Sequence, residues 1–337
     1  MQKITYLERP IYVESFASVG GYEEALGPLG KKFDFTDKSD LFGMKTFERA
    51  EGEMSRLALN FALKKGKITE KELDLIVAGD LQNQCVASSG GLFSFGVPFL
   101  GLYGACSTCT EGLIVLSAML SASRTYKRGA SVTSSHNCAA ERQFRTPLEY
   151  GGQRAPTAQW TATASGAFIL SKSPSDIMIS SFMPGKAIDG YTKDATNMGA
   201  AMALSAFDSI LAFFEENDPD SFDLILTGDL GSVGSSILRE LLSKSNTNYG
   251  LKLASLHNDC GLILYDRKSR DVHSGASGCG CSASVLASHF LPMVKRGEIR
   301  KMLLLSTGAL MSTSSVCQGD HILGIAPLIT IESVVKK

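Results

Sequence analysis

The sequence predicts an α/β protein of two similar halves, each with a largely parallel sheet that helices cover on both faces. First, the segment 73–81 (LDLIVAGDL) returns as 222–230 (FDLILTGDL) at a constant offset of 149 residues, since 223 − 74 and 229 − 80 both equal 149. Second, each half has a short cysteine motif followed by an apolar helical segment, at 104–107 and at 279–282. Third, predicted strands and helices alternate throughout, as in βαβ units.

The order of the later elements also repeats. Each predicted helix leads to a basic turn before a glycine, at 127–129 and 295–297, and then to a strand that ends in small hydroxyl residues. Four features in one order indicate an internal duplication. We predict a first half at 1–173 and a second half at 174–337.

The first predicted elements are a strand at Pro10–Val13, a glycine-rich loop, and a helix over 47–65. In this helix, apolar residues recur at helical spacing and charged residues occupy the other face, and Gly66 follows as a stop signal. The segment 73–81 then predicts a buried strand that ends at Gly79.

The stretch 103–111 (YGACSTCTE) predicts a turn that displays Cys106 just before a buried helix. Thr108 and Glu111 have the spacing of a capping box, so we expect the helix to begin near Cys109. The positive end of a helix dipole favours a thiolate at Cys106. The alternative is that Cys106 and Cys109 are small buried core residues without reactivity.

Composition excludes several classes of protein. A net charge of −1 over 337 residues argues against a nucleic-acid-binding surface. Eight cysteines without regular spacing and no signal-peptide pattern indicate a soluble intracellular chain with free thiols. No apolar run approaches the length of a membrane-spanning helix, so we expect none.

Two such halves, a cysteine turn leading into a buried helix, the segment 163–170 (TASGAFIL) and Gly308-Ala309-Leu310 resemble the thiolase and ketoacyl-synthase superfamily. The resemblance implies a thiolase-like five-layer α-β-α-β-α fold of two duplicated halves with mixed, mostly parallel sheets.

Longer strings resemble the stage V sporulation protein AD family. They lie at 79–84, 104–108, 133–145, 149–153, 257–261 and 278–282. This resemblance implies a non-catalytic subunit that binds dipicolinic acid (pyridine-2,6-dicarboxylate) in the spore complex for dipicolinate and Ca²⁺ uptake and release, acting in sporulation and germination. It further implies peripheral attachment to the spore inner membrane through other membrane subunits of the stage V sporulation A complex. No cofactor is expected beyond Ca²⁺ carried with dipicolinate, and a homodimer is the default of the superfamily.

Condensing enzymes of this superfamily use a cysteine, a histidine and an asparagine or second histidine. The matching positions here are Cys106, Gly228-Asp229 and Cys279. A cysteine nucleophile needs a base within hydrogen-bonding reach, so we predict no catalytic residue and regard Cys106 as a vestigial nucleophile. The alternative function is an acyl-transferring or condensing enzyme with Cys106 as nucleophile.

Polar residues at predicted strand ends are candidates for holding the ligand, because open α/β sheets bind ligands there. Arginine presents a planar fork that fits carboxylates and stacks on aromatic rings. Part of the set lies on an insertion of the second half, together with His273. The predicted ligand-binding residues are His136, Asn137, Arg142, Arg145, His257, Asp259, Cys279 and Cys106. Alternatively, the two arginines only pair with Glu141 and Glu149, and His136 is structural.

Two further hypotheses concern the thiols. Cys106 and Cys109 with Cys279 and Cys281 would place four thiolates on one zinc ion, but the one-residue gap of the second pair departs from zinc-site spacing. The first pair could instead be a redox pair. We predict no metal site.

Overall fold

The computed structural model describes residues 2–145 and 154–335, and for Arg145 the backbone alone. The strands are β1 (Thr5–Gly20), β2 (Phe35–Thr36), β3 (Leu75–Gly79), β4 (Phe99–Leu102), β5 (Arg128–Ser135), β6 (Trp160–Thr161), β7 (Ala164–Ser171), β8 (Ile177–Met183), β9 (Ile188–Asp189), β10 (Leu224–Thr227), β11 (His257–Asp259), β12 (Ala276–Ser277), β13 (Lys301–Leu305), β14 (Gly308–Leu310), β15 (Leu323–Ile325) and β16 (Leu328–Ser333). The α-helices are α1 (Tyr22–Leu26), α2 (Phe47–Gly66), α3 (Val86–Leu92), α4 (Thr108–Ala122), α5 (Asn137–Arg145), α6 (Met198–Phe214), α7 (Gly231–Ser243), α8 (Gly250–Leu256), α9 (Cys260–Ile263), α10 (Cys279–Val285), α11 (Leu291–Lys295) and α12 (Thr313–Gln318).

The large sheet shows the same strand order twice. Its order is β11-β10-β13-β16-β8-β1-β7-β5-β3-β4, with β2 beside β1. Each five-strand set has two parallel pairings followed by two antiparallel ones, so four strands run one way and β7 or β16 runs the other. The antiparallel pair of β1 and β8 joins the two sets.

The repeat extends to single side chains. Asp74 Oδ2 accepts the backbone N–H groups of residues 127 and 128 at 2.7 and 3.0 Å. Asp223 Oδ2 accepts those of residues 300 and 301 at 2.7 and 3.1 Å. Each aspartate thus ties the start of one strand to the turn before its neighbour. The 173/174 boundary itself stays a prediction.

The strands alternate between two faces, which divides the core into separate layers. In β3, Val77 packs in a central core cluster and Ile76 in an outer one. In β13, Leu304 packs in the same central cluster and Leu303 in a second outer one. The central cluster contains residues of α4, α10 and both strand sets. Helix α2 covers the outer face of one set, and α6 and α7 cover that of the other. The layers therefore follow α-β-α-β-α, as expected.

The bounds of one predicted strand differ from the sequence expectation, and the end of one predicted helix agrees with it. Strand β1 has 16 residues, far more than the four predicted, because it pairs with β7 over one part and with β8 over another. Helix α2 ends at Gly66 as predicted, and Lys67 follows in a left-handed conformation (φ +54°).

The segment 257–260 was predicted to lie on an insertion, and this is wrong for 257–259. These residues form β11, which pairs in parallel with β10 as β4 pairs with β3. The length that the second half adds between the paired strands lies in α7 and α8. The first half has α3 between its paired strands, and sequence length alone could not separate a longer helical connection from an added strand.

One helical stretch, Ala105–Ala122, is long and apolar enough by composition to cross a membrane, with 18 residues and a mean hydropathy of 1.4. The sequence expectation that no such run exists was therefore wrong. More than half of this stretch is buried inside the fold, 56%, and its leucines pack in the central cluster. These properties are those of a core helix.

Candidate functional site

A pocket of about 250 Å³ lies where several helices begin. Cys106 precedes α4, Gly278 precedes α10, and Met198 is the first residue of α6. We call it the Cys106 pocket; its lining residues are Leu81, Tyr103, Ala105, Cys106, Ala140, Glu141, Phe144, Thr161, Met198, Ser277, Gly278, Ala309, Leu310 and Met311. Most of these side chains are apolar, and Tyr103 and Phe144 add aromatic rings.

The turn before α4 presents Cys106 to the pocket. Ala105 adopts a left-handed conformation (φ +53°), and residues 105–107 form a single 3-10 turn. The predicted capping box at Thr108 is wrong: Ser107 is the N-cap residue and its side chain accepts no helix N–H, while its hydroxyl donates to Glu111 Oε1 at 2.6 Å. The Thr108 hydroxyl instead accepts Gly104 N–H at 3.1 Å and donates to Ala105 O at 2.7 Å. These bonds hold the cysteine at the helix start.

Asp229 lies directly behind Cys106, and its carboxylate accepts a hydrogen bond from the thiol. Its Oδ2 accepts Gly278 N–H at 2.8 Å, and its Oδ1 accepts the Thr307 hydroxyl at 3.0 Å. Burial, followed by the negative charge of the nearby Asp259 carboxylate, raises the pKa of Asp229 to about 7, although these three donors act to lower it. In the sequence, Asp229 stands only as the residue at the histidine position, and no local signal indicates its contact with the cysteine.

A carboxylate beside a thiol has the opposite effect to an imidazole. An imidazolium stabilises a thiolate, whereas a negative carboxylate disfavours a second negative charge next to it. None of the described residues that line the Cys106 pocket is a histidine. The described group that accepts a hydrogen bond from the Cys106 thiol is therefore a carboxylate, which differs from the cysteine–histidine pair of activated thiols.

Cys279 is the other predicted cysteine at the site. It is fully buried, packs in a small cluster with Cys106, Leu81 and Ala140, and its thiol donates to Ser134 O at 3.0 Å. Burial raises the pKa of Cys279 well above its usual range. Cys279 thus lies in the wall behind the pocket as a neutral thiol.

His136 and Asn137 connect the end of β5 to α5, which covers the pocket. His136 Nε2 donates to Asp40 O at 2.9 Å, its ring lies 5.2 Å from that of Phe47, and burial lowers its pKa. Asn137 donates from its side chain to Thr161 O at 3.3 Å. Neither residue lines the pocket; Asn137 positions Thr161, which does.

Helix α5 is held over the pocket by its own side chains. Gln143 Nε2 donates to Leu81 O at 2.7 Å, and Gln143 Oε1 accepts Asn83 N–H at 2.9 Å. Arg142 points to the surface, where its side chain is 60% exposed and forms an ion pair with Glu48. The side chain of Arg145 and the segment 146–153 lie outside the described residues.

His257 and Asp259 belong to a separate buried network. Arg239 Nε donates to His257 Nδ1 at 3.2 Å, His257 Nε2 donates to the Thr227 hydroxyl at 2.8 Å, and that hydroxyl donates to Asp259 at 2.7 Å. Burial lowers the pKa of His257 to about 3, so the ring is neutral, and burial raises the pKa of Asp259 to about 6. His273 pairs with Asp271 at 3.0 Å. None of these residues lines the pocket.

Of the predicted set, the structure thus brings Cys106 and Cys279 together at the pocket. Among the missed lining residues, Met198 and Met311 come from distant segments and carry no motif, whereas Tyr103 is the first residue of the predicted cysteine turn at 103–111. Within residues 2–145 and 154–335, no group of three or more histidine, cysteine or acidic side chains is arranged to hold a metal ion. The eight cysteines are free thiols.

Comparison with solved structures shows the fold. The chain is similar to 3-oxoacyl-[acyl-carrier-protein] synthase III from Aquifex aeolicus VF5, with a TM-score of 0.56 and 12% identity over 94% of this chain and 99% of that one. It is also similar to human mitochondrial 3-ketoacyl-CoA thiolase in complex with CoA, with a TM-score of 0.61 and 10% identity over 98% and 100% of the two chains. The fold is therefore thiolase-like.

Comparison of sequences shows the family. Stage V sporulation protein AD of Bacillus subtilis (strain 168) is 41% identical over 327 residues, which cover 96% of this chain and 95% of the relative. The family model for stage V sporulation protein AD matches residues 1–332. The chain belongs to the stage V sporulation protein AD family.

Proposed function

We propose that this sporulation protein is a non-catalytic subunit that binds dipicolinate in the Cys106 pocket, as part of a spore complex for dipicolinate and Ca²⁺ uptake and release. The observation that carries the proposal is a small, mostly apolar pocket in which the carboxylate of Asp229, and not an imidazole, faces the Cys106 thiol. Family membership supports a role in sporulation.

The pocket suits a small planar ring. Apolar and aromatic side chains such as Phe144 and Leu310 can cover its faces, while Tyr103 and Thr161 offer hydroxyl groups. Sites of this composition bind small molecules through apolar contact and a few polar groups. Dipicolinate has a single aromatic ring, which a pocket of about 250 Å³ can enclose.

The two carboxylates of the ligand need compensation when they leave water. Three helices, α4, α6 and α10, begin at the pocket wall, and their N-termini carry partial positive charge. No lysine or arginine is among the described lining residues. Arg142 follows the lining residue Glu141 and would reach the ligand by leaving Glu48. A Ca²⁺ ion carried with dipicolinate would also neutralise the charge.

Attachment to the spore inner membrane would come from partner proteins, namely other membrane subunits of the complex, because the long apolar stretch at 105–122 is a core element. We also propose a homodimer as the assembly.

Isothermal titration calorimetry with dipicolinate, with and without Ca²⁺, tests the binding function. We expect saturable one-site binding, and dipicolinate should protect Cys106 from alkylation while leaving the exposed Cys317 reactive. Absence of heat and of protection would refute the proposal.

The second candidate is an acyl-transferring or condensing enzyme with Cys106 as nucleophile, which the fold and the pocket-facing thiol favour. Incubation with an acyl thioester, followed by mass spectrometry, distinguishes the two. We expect no acylation of Cys106; turnover abolished by Cys106→Ser would establish the enzyme instead.

A further inference from the structure

We propose that the Cys106 pocket binds its dicarboxylate together with one proton, which Asp229 takes up. The inference rests on the proposed function and adds a proton to it. The basis of the inference is the position of the buried Asp229 carboxyl group directly behind the pocket wall. Cys106 and Gly278 line the pocket, and both donate hydrogen bonds to this carboxyl group from the wall.

The groups around Asp229 are uncharged donors and other acids. From the first half, Cys106 donates to it; from the second, Thr307 and Gly278 N–H do so. The titratable groups that face it from α9, α10 and the end of β11 are Asp259, Cys260 and Cys281. Burial raises the pKa of both thiols well above the usual range, so they stay neutral.

A bound dicarboxylate would add two negative charges on the other side of the wall. Charges of one sign in a buried site disfavour each other, and the group that can shed its charge most easily does so. Asp229 already has a pKa near 7, with burial as the main cause. The carboxyl of Asp259, with a pKa of about 6, holds its charge to lower pH and accepts two backbone N–H groups, of Leu230 and Gly231.

Asp229 can carry the proton without rearrangement. The Thr307 hydroxyl now donates to Asp229 Oδ1 at 3.0 Å. Because a hydroxyl group both donates and accepts, a protonated Oδ1 can donate to the Thr307 oxygen in the same contact. Oδ2 keeps the Gly278 N–H. The neutral and charged forms thus fit the same cavity.

The sign of the effect follows from linkage. Below about pH 7, Asp229 is protonated before the ligand arrives, and affinity does not depend on its titration. Above that pH, binding takes up a proton, and the dissociation constant of dipicolinate rises by about tenfold for each pH unit. The ligand carboxyl groups are ionised throughout this range.

The test is calorimetry of metal-free dipicolinate, with a chelator present, in pairs of buffers that differ in ionisation enthalpy. At about pH 8.5 the wild-type protein should take up close to one proton on binding, and at about pH 6 close to none. Asp229→Asn should abolish the uptake and make affinity independent of pH. Binding without proton uptake by the wild type, which requires no variant, would overturn the inference.

Two further outcomes are distinguishable. Persistent uptake in Asp229→Asn that disappears in Asp259→Asn would assign the proton to the second carboxyl group and contradict this inference alone. Failure of dipicolinate to bind at every pH would instead refute the proposed function, on which the inference rests. Thermal unfolding of each variant checks that it is folded.

Discussion

The contact between Cys106 and Asp229 predicts that the carboxylate suppresses the reactivity of the thiol. At an effective dielectric constant of about 20 and a separation of about 4 Å, one negative charge destabilises a neighbouring thiolate by about 4 kcal/mol. Structural relaxation and partial protonation of Asp229 reduce this value. We therefore expect Asp229→Asn to raise the alkylation rate of Cys106 by about 10- to 100-fold near pH 8.5, where Asp229 is ionised.

The assay is timed alkylation with iodoacetamide, with peptide mass spectrometry to follow each cysteine separately. Cys317 is exposed on the surface and serves as the internal control, because its rate should be the same in both proteins. A Cys106 rate that is equal in the wild type and in Asp229→Asn, with matched Cys317 rates, would show that the carboxylate does not control the thiol. A faster wild-type rate would point to a base that activates Cys106.

Three other predictions follow from the structure. Arg142→Ala should weaken dipicolinate binding by about tenfold, with little change in melting temperature because the ion pair of Arg142 with Glu48 is exposed. Glu48→Ala frees the arginine and should not weaken dipicolinate binding. Equal binding by both variants would mean that Arg142 does not contact the ligand. Burial raises the pKa of Glu24 to about 7, so between about pH 4.5 and 7 only the folded state holds the Glu24 proton. As the pH rises through this range, the wild type should lose about 3 kcal/mol of unfolding free energy relative to Glu24→Gln. Urea unfolding curves that depend on pH in the same way for both proteins would contradict this. The purified chain should not float with liposomes, because its long apolar stretch 105–122 is a core helix; robust flotation would disprove attachment through partners alone.

The sequence alone was enough to predict the duplication, helix α2, strand β3 and the cysteine turn. The helix, the strand and the turn depend on local signals, such as the spacing of apolar side chains and a stop at Gly66, whereas the duplication depends on the repeat of one strand at a fixed offset of 149 residues. The family could also be predicted, because its motifs are long strings read without any structure, and the comparisons confirm it.

Only the tertiary structure decided which groups meet at the site. Cys106 and Asp229 are far apart in the chain and come together because the two strand sets pack on opposite sides of one helix layer. The same packing turns Arg142 toward Glu48 and places His257 in a network behind β10. Local propensity carries no information on such contacts, since they depend on how the crossovers bring distant strand ends and helix starts to one place.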